Sequence, residues 1–223
     1  MHRRSWIAVC VAAAALTGCD PSPWIKPTPP APPPAASTPP SKEKVAEAFT
    51  RLNVALKDAY ERIIRERGTR TVAAPRAVAF DALHTGLTRL GMIVENRDAE
   101  IGVLTVAAPA PKPLDAAEWR TTVQSDLPLM AGILCPVLGD YCKTIKFEPD
   151  DFVIVINATV RELDANRSEV SLTTRMREIA PRPGMPRRDY PPPTGVQMAL
   201  DKIWAQFDRA LAERQTRPAE RNS

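Results

Sequence analysis

The chain has 223 residues, 44% of them hydrophobic, 25% charged and 5% aromatic, with 24 prolines against 9 glycines. That balance fits one ordinary globular domain with extensions, and it excludes a collagen-like, wholly disordered or polytopic membrane protein. Of 30 basic residues 22 are Arg, yet the formal charge of +4 falls to +2 once a leading segment carrying Arg3 and Arg4 is removed, so no broad field for nucleic acid follows.

Arg3 and Arg4 precede an unbroken apolar run of 11 residues, Trp6 to Leu16, which Thr17, Gly18, Cys19 and Asp20 end. A spanning helix needs about 20 apolar residues, so residues 1–18 read as a signal peptide rather than a membrane helix. The tetrapeptide Leu16-Thr17-Gly18-Cys19 resembles the lipobox of bacterial lipoproteins. That resemblance implies an acylated Cys19 as the first residue of the mature chain, anchored in a membrane and facing the periplasm. Several acyl chains anchor stably where one is marginal, so the anchor needs no help from the fold. Asp20 resembles the signal that keeps lipoproteins in the inner membrane of enteric bacteria. The abundance of Arg, Ala and Pro hints at a lineage outside that rule, and inner against outer membrane stays open.

Ten prolines fall between Pro21 and Pro40. Such a stretch forms neither a core nor a strand ladder and reads as a polyproline-type tether, 19–40, able to reach about 60 Å at ~3.1 Å per residue.

From Ser41 the pattern changes. Val45, Phe49, Leu52, Leu56, Tyr60 and Ile63 recur at helical spacing up to Gly68, predicting an amphipathic helix over 41–68 with Ser41 as N-cap. Its narrow stripe suits either docking on its own domain or a partner helix. Thr69 to Ala74 reads as a strand. Pro75 opens a helix with Phe80, Leu83, Leu87 and Leu90, ended by Gly91. Met92–Glu95 and Ile101–Val106 are strand candidates about a polar turn. After a proline-broken loop, Asp115 caps a helix bearing Trp119 and Val123, within an insertion spanning 108–150. Phe152–Leu163 and Ser168–Ile179 alternate apolar and polar residues about Asp164-Ala165-Asn166, predicting a long hairpin with one wet face. Val196, Leu200, Ile203, Phe207 and Leu211 predict a closing helix over 194–214, leaving 216–223 as a tail.

The expected fold is therefore α+β: an antiparallel sheet of four to five strands covered on one face by long helices, spanning 69–215. Phe80-Asp81-Ala82-Leu83, Leu90-Gly91-Met92-Ile93-Val94-Glu95 and Glu100-Ile101-Gly102-Val103-Leu104 resemble a pattern of Gram-negative envelope lipoproteins. The outline is similar to the helix-grip domains of the C subunit of the β-barrel assembly machinery. That likeness implies a scaffold or binding role and carries over no functional residue.

Cys10 leaves with the signal and Cys19 is acylated, so Cys135 and Cys142 remain and should pair in an oxidising envelope compartment. Their spacing is not that of a redox-active Cys-x-x-Cys motif. His84 is the one histidine after the signal, which argues against triad and zinc chemistry. Glu148, Asp150 and Asp151 are interrupted by Pro149 and match no calcium loop. No phosphate-binding glycine loop or nucleophile elbow occurs, and no cofactor is implied. Arg175, Arg177, Arg182, Arg187 and Arg188 crowd 14 residues, partly in a proline-rich loop expected to hold its guanidinium groups outward. They are either a solvated charge run or contacts to anionic lipid or lipopolysaccharide phosphate. The expectation is a non-enzymatic lipoprotein with an envelope protein partner, acting as a scaffold or accessory subunit. The rival is a carrier holding a lipid or small molecule between helix and sheet.

Overall fold

The computed structural model of the chain describes residues 39–181, 183, 184 and 186–220. In chain order it contains α1 (Lys42–Arg67), β1 (Thr69–Val72), α2 (Arg76–Arg89), β2 (Ile93–Asp98), β3 (Val103–Pro109), α3 (Ala116–Leu138), β4 (Phe152–Asp164), β5 (Arg167–Glu178) and α4 (Pro193–Glu220). The five strands form one antiparallel sheet in the order β1-β5-β4-β3-β2, the expected α+β class.

Alternation in the hairpin decides which face is covered. Phe152, Ile154, Ile156, Ala158 and Val160 of β4 and Val170, Leu172, Thr174 and Met176 of β5 are buried together with Leu104, Val106 and Ala108 of β3. The intervening Asn157 and Thr159 stay exposed, and Thr105 donates to Asn157 Oδ1 at 3.0 Å on that open face. Gly102 turns the chain into β3 with φ +74°, and a Cβ there would meet the Val160 carbonyl at 2.2 Å, so only glycine fits.

Ser41 caps α1 as expected, accepting the Lys44 N–H at 3.3 Å. The α1 stripe docks on its own domain: Ala48, Leu52 and Leu56 are fully buried, and α1 packs against α3 and α4. The reading of this stripe as a partner or dimerising helix is thereby corrected, because its apolar face is used within the chain. Trp204 of α4 locks the start of the sheet to the helical layer. Its indole N–H donates to the Arg67 carbonyl at 2.9 Å, and the Arg70 guanidinium lies 4.6 Å from the ring centroid.

Two boundaries differ from expectation. The closing helix continues to Glu220, through most of the expected tail. Most of the insertion 108–150 is regular, because α3 runs 23 residues despite Pro128 and Pro136 inside it. An internal proline removes a helical hydrogen bond and disfavours the helix by ~3 kcal/mol. Here Trp119, Thr122, Asp126, Met130, Leu134 and Leu138 recur every three or four residues on one buried face, and that packing overrides the local penalty.

Candidate functional site: a groove beside α3

The start of α3 is fixed by a capping box. Asp115 accepts the Ala117 and Glu118 N–H groups at 2.8 Å each, and Glu118 Oε2 accepts the Asp115 N–H at 2.7 Å. The backbone donor of Glu118 holds the Asp115 carboxyl below its ordinary range. One turn beyond Trp119 and Thr122, buried Asp126 reaches across to α4, where its carboxylate accepts the Thr194 N–H at 2.9 Å and the Thr194 hydroxyl at 2.7 Å. It satisfies a donor that the start of α4 would otherwise leave open.

From Leu127 to Gly139 the chain carries no charged residue. By length and composition Ala116–Thr144 could cross a membrane; α3 packs against α1 and α4, and only 28% of its most apolar stretch is buried. The unburied part includes Leu127, 48% exposed, and Leu129, 41% exposed. Gly139 ends the helix at φ +56°, and a 3₁₀ turn over Gly139–Thr144 reverses the chain.

The expected disulfide closes this reversal: Cys135 in the last turn of α3 and Cys142 in the 3₁₀ turn are bonded, with Cα atoms 5.0 Å apart. The strap that follows, residues 145–149, returns along α3. Trp119 holds it by donating its indole N–H to the Phe147 carbonyl at 3.0 Å. Arg188 holds it from the other side, its guanidinium 4.4 Å from the Phe152 ring centroid and 5.6 Å from that of Phe147.

Between α3 and the strap lies a groove of about 770 Å³. Trp119, Val123, Leu127, Met130, Leu134 and Phe147 form its apolar wall, with the disulfide among its lining. Arg120, Lys143, Lys146 and Glu148 bring the charges to its rim. Lys143 is paired with Asp140 at 2.7 Å, whereas Arg120 and Lys146 have no carboxylate partner among the described residues. No family model matches the chain, and no curated protein matches it.

Cys19, Asp20 and Arg182 lie outside the described residues, as do the signal segment and the tether up to residue 38. The remaining arginines do not form one outward surface. Arg188 is corrected from exposed to largely buried, its side chain 13% accessible. It forms a close ion pair with Glu178, itself 9% accessible, and lies 3.8 Å from Asp151. Arg175 is exposed but stacks on two rings, 5.0 Å from the centroid of Tyr60 and 4.7 Å from that of Tyr190. Arg177 is within 3.8 Å of Glu95, and Arg187 is exposed with no side-chain partner among the described residues. His84 is half-buried on α2, and among the described residues no group of three or more His, Cys, Asp or Glu could hold a metal.

Periodicity alone does not reveal this groove. Its signals in the sequence are the charge-free run after Asp126 and the cysteine pair that folds the chain back on it.

Proposed function

We propose that this chain is a lipid-anchored, periplasm-facing lipoprotein that acts without catalysis as a scaffold or accessory subunit in the cell envelope, and that the α3 groove is its working surface. The lipobox around Cys19 and the proline-rich tether support the anchoring. The likeness to helix-grip envelope lipoproteins supports a binding role. The observation that carries the reading is the charge-free half of α3, which keeps Leu127 and Ala131 exposed in the lining of an apolar groove. A soluble domain rarely leaves contiguous apolar surface open unless something covers it. The carrier alternative fits the same groove, with its site moved from between helix and sheet to between α3 and the strap.

Two measurements test this together. Cys19→Ser should abolish acyl labelling and release the protein from membranes, while normal retention with unchanged labelling would end the anchoring claim. A photo-crosslinking side chain at Leu127, which lines the groove, should give a discrete adduct in native envelopes, and the same group at Thr121, on the polar half of α3, should not. Equal labelling from both positions would mean that the groove is not the working surface.

A further inference from the structure

We infer that the α3 groove holds the single acyl chain of an anionic lipid, with the head group at the Arg120 and Lys146 rim. The inference rests on the reading of the groove as the working surface. Three features lead to this class of ligand. The volume of about 770 Å³ lies in the range of sites that hold small ligands, about 300–1,000 Å³. The wall is apolar from Trp119 through Val123, Leu127, Met130 and Leu134 to Phe147, so it gains from an alkyl chain and offers little to a polar peptide backbone. Three cations and the single carboxylate of Glu148 lie in the lining; Lys143 is paired with Asp140, Arg120 is near enough to help the Glu118 N–H lower the pKa of the Asp115 carboxyl, and Lys146 has no carboxylate within 4 Å among the described residues. Arg120 anchors its own geometry by donating Nε–H to the Ala116 carbonyl at 3.1 Å. Its terminal nitrogens have no carboxylate partner among the described residues. An apolar slot with Lys146 and Arg120 at its mouth, neither in an ion pair within 4 Å among the described residues, is complementary to a chain bearing one negative head, and less so to a zwitterionic or neutral one.

The tethered full-length protein, held by its own anchor in phosphatidylcholine vesicles, is exposed to a photoactivatable palmitoyl lysophosphatidylglycerol at low mole fraction, and adducts are mapped to residues. Adducts should fall on the second half of α3 and on the strap. Labelling should rise about tenfold for each two-carbon extension of shorter analogues and then level off when the groove is full. Ala131→Trp, an exposed position that lines the groove, should abolish labelling. Arg120→Gln and Lys146→Gln should each reduce it about fivefold, and both are surface changes that leave folding intact should the Trp variant fail to fold. Equal labelling by the phosphatidylcholine analogue, no levelling with chain length, or adducts unaffected by all three variants would overturn the inference and point to ordinary insertion into the bilayer. Loss of lipid labelling together with a discrete protein adduct from Leu127 in native envelopes would overturn the lipid and leave the scaffold reading standing.

Discussion

The phenolic oxygen of Tyr60 on α1 accepts the backbone N–H of Thr174 on β5 at 3.1 Å. β1 pairs with β5 only as far as Ser171, so the next stretch of β5 would otherwise be an open edge. Three successive outward N–H groups are instead closed by three different parts of the chain. Leu172 donates to the Gly68 carbonyl at 2.7 Å, Thr174 to Tyr60, and Met176 to the Asp189 carbonyl at 3.0 Å. A side chain on a helix thus substitutes for one rung of a missing strand, which protects the edge against pairing with another chain. Burial, the largest influence, raises the Tyr60 phenol above its ordinary value and keeps it a neutral hydroxyl.

Tyr60→Phe keeps the ring under Arg175 and removes the hydroxyl that meets the Thr174 N–H and the Thr173 side chain. Thr174 is 2% exposed, so its N–H would be left buried without a partner. The expected loss is about 1–3 kcal/mol in denaturant unfolding, with faster amide exchange at Thr174 than at Ile156 in the centre of the sheet. Unchanged stability and unchanged exchange would show that the edge is closed by other means.

Arg187 and Arg188 are neighbours in sequence with opposite environments. Arg188→Ala would strand the Glu178 carboxylate, 9% accessible, and withdraw the cation from the Phe147 and Phe152 rings. Breaking a buried pair on one side costs about 3–5 kcal/mol, whereas Arg187→Ala should stay within about 0.5 kcal/mol. Thermal and urea unfolding of the two variants checks this, and similar values for both would contradict the buried role of Arg188.

Periodicity carries most of the fold. The α1 stripe, the β4–β5 hairpin and the α4 stripe each repeat an apolar residue at the spacing of the element they form, so their buried faces follow from that spacing alone. What is illegible depends on partners distant in sequence. Pro128 and Pro136 read locally as breakers, and only the packing of Met130 and Leu134 against the rest of the domain makes α3 continuous. Arg188 lies in an irregular loop without period, so its inward turn toward Glu178 leaves no trace in the pattern. The cysteine pair is legible as a bond, but not the groove that the bond helps to wall.

Asp126 should give the protein a distinctive dependence on acid. Burial outweighs its two bonds to Thr194 and holds the carboxyl above the ordinary 3.8. The folded state therefore favours the protonated form, and this contribution to stability is full below pH 3.8 and lost as pH rises through the raised folded value. The stability of the wild type relative to Asp126→Asn should accordingly decline as pH rises above 3.8. A difference that is flat or grows with pH, in paired thermal unfolding series, would contradict this. Asp126→Ala removes the Thr194 acceptor altogether and should cost about 0.5–2 kcal/mol, with the same decline of the difference as pH rises.

The Cys135–Cys142 bond closes a short loop, with a sequence separation of 7. On chain entropy alone such a loop contributes about 2.5 kcal/mol. Lys143 lies just beyond the bonded cysteine in the 3₁₀ turn, whereas the strap after Ile145 is held independently by Trp119 at the Phe147 carbonyl and by Arg188. Loss of the disulfide should therefore loosen the reversal at Gly139–Thr144 before it frees Phe147. Cys135→Ser with Cys142→Ser should lower unfolding stability by about 2–3 kcal/mol and expose Lys143 to trypsin well before Lys146. In the native protein both thiols should resist alkylation until reductant is added. Free alkylation of both cysteines in envelope-derived protein would remove the bond from the native state. Simultaneous cleavage at both lysines would show that the disulfide, rather than Trp119 and Arg188, holds the whole strap against α3.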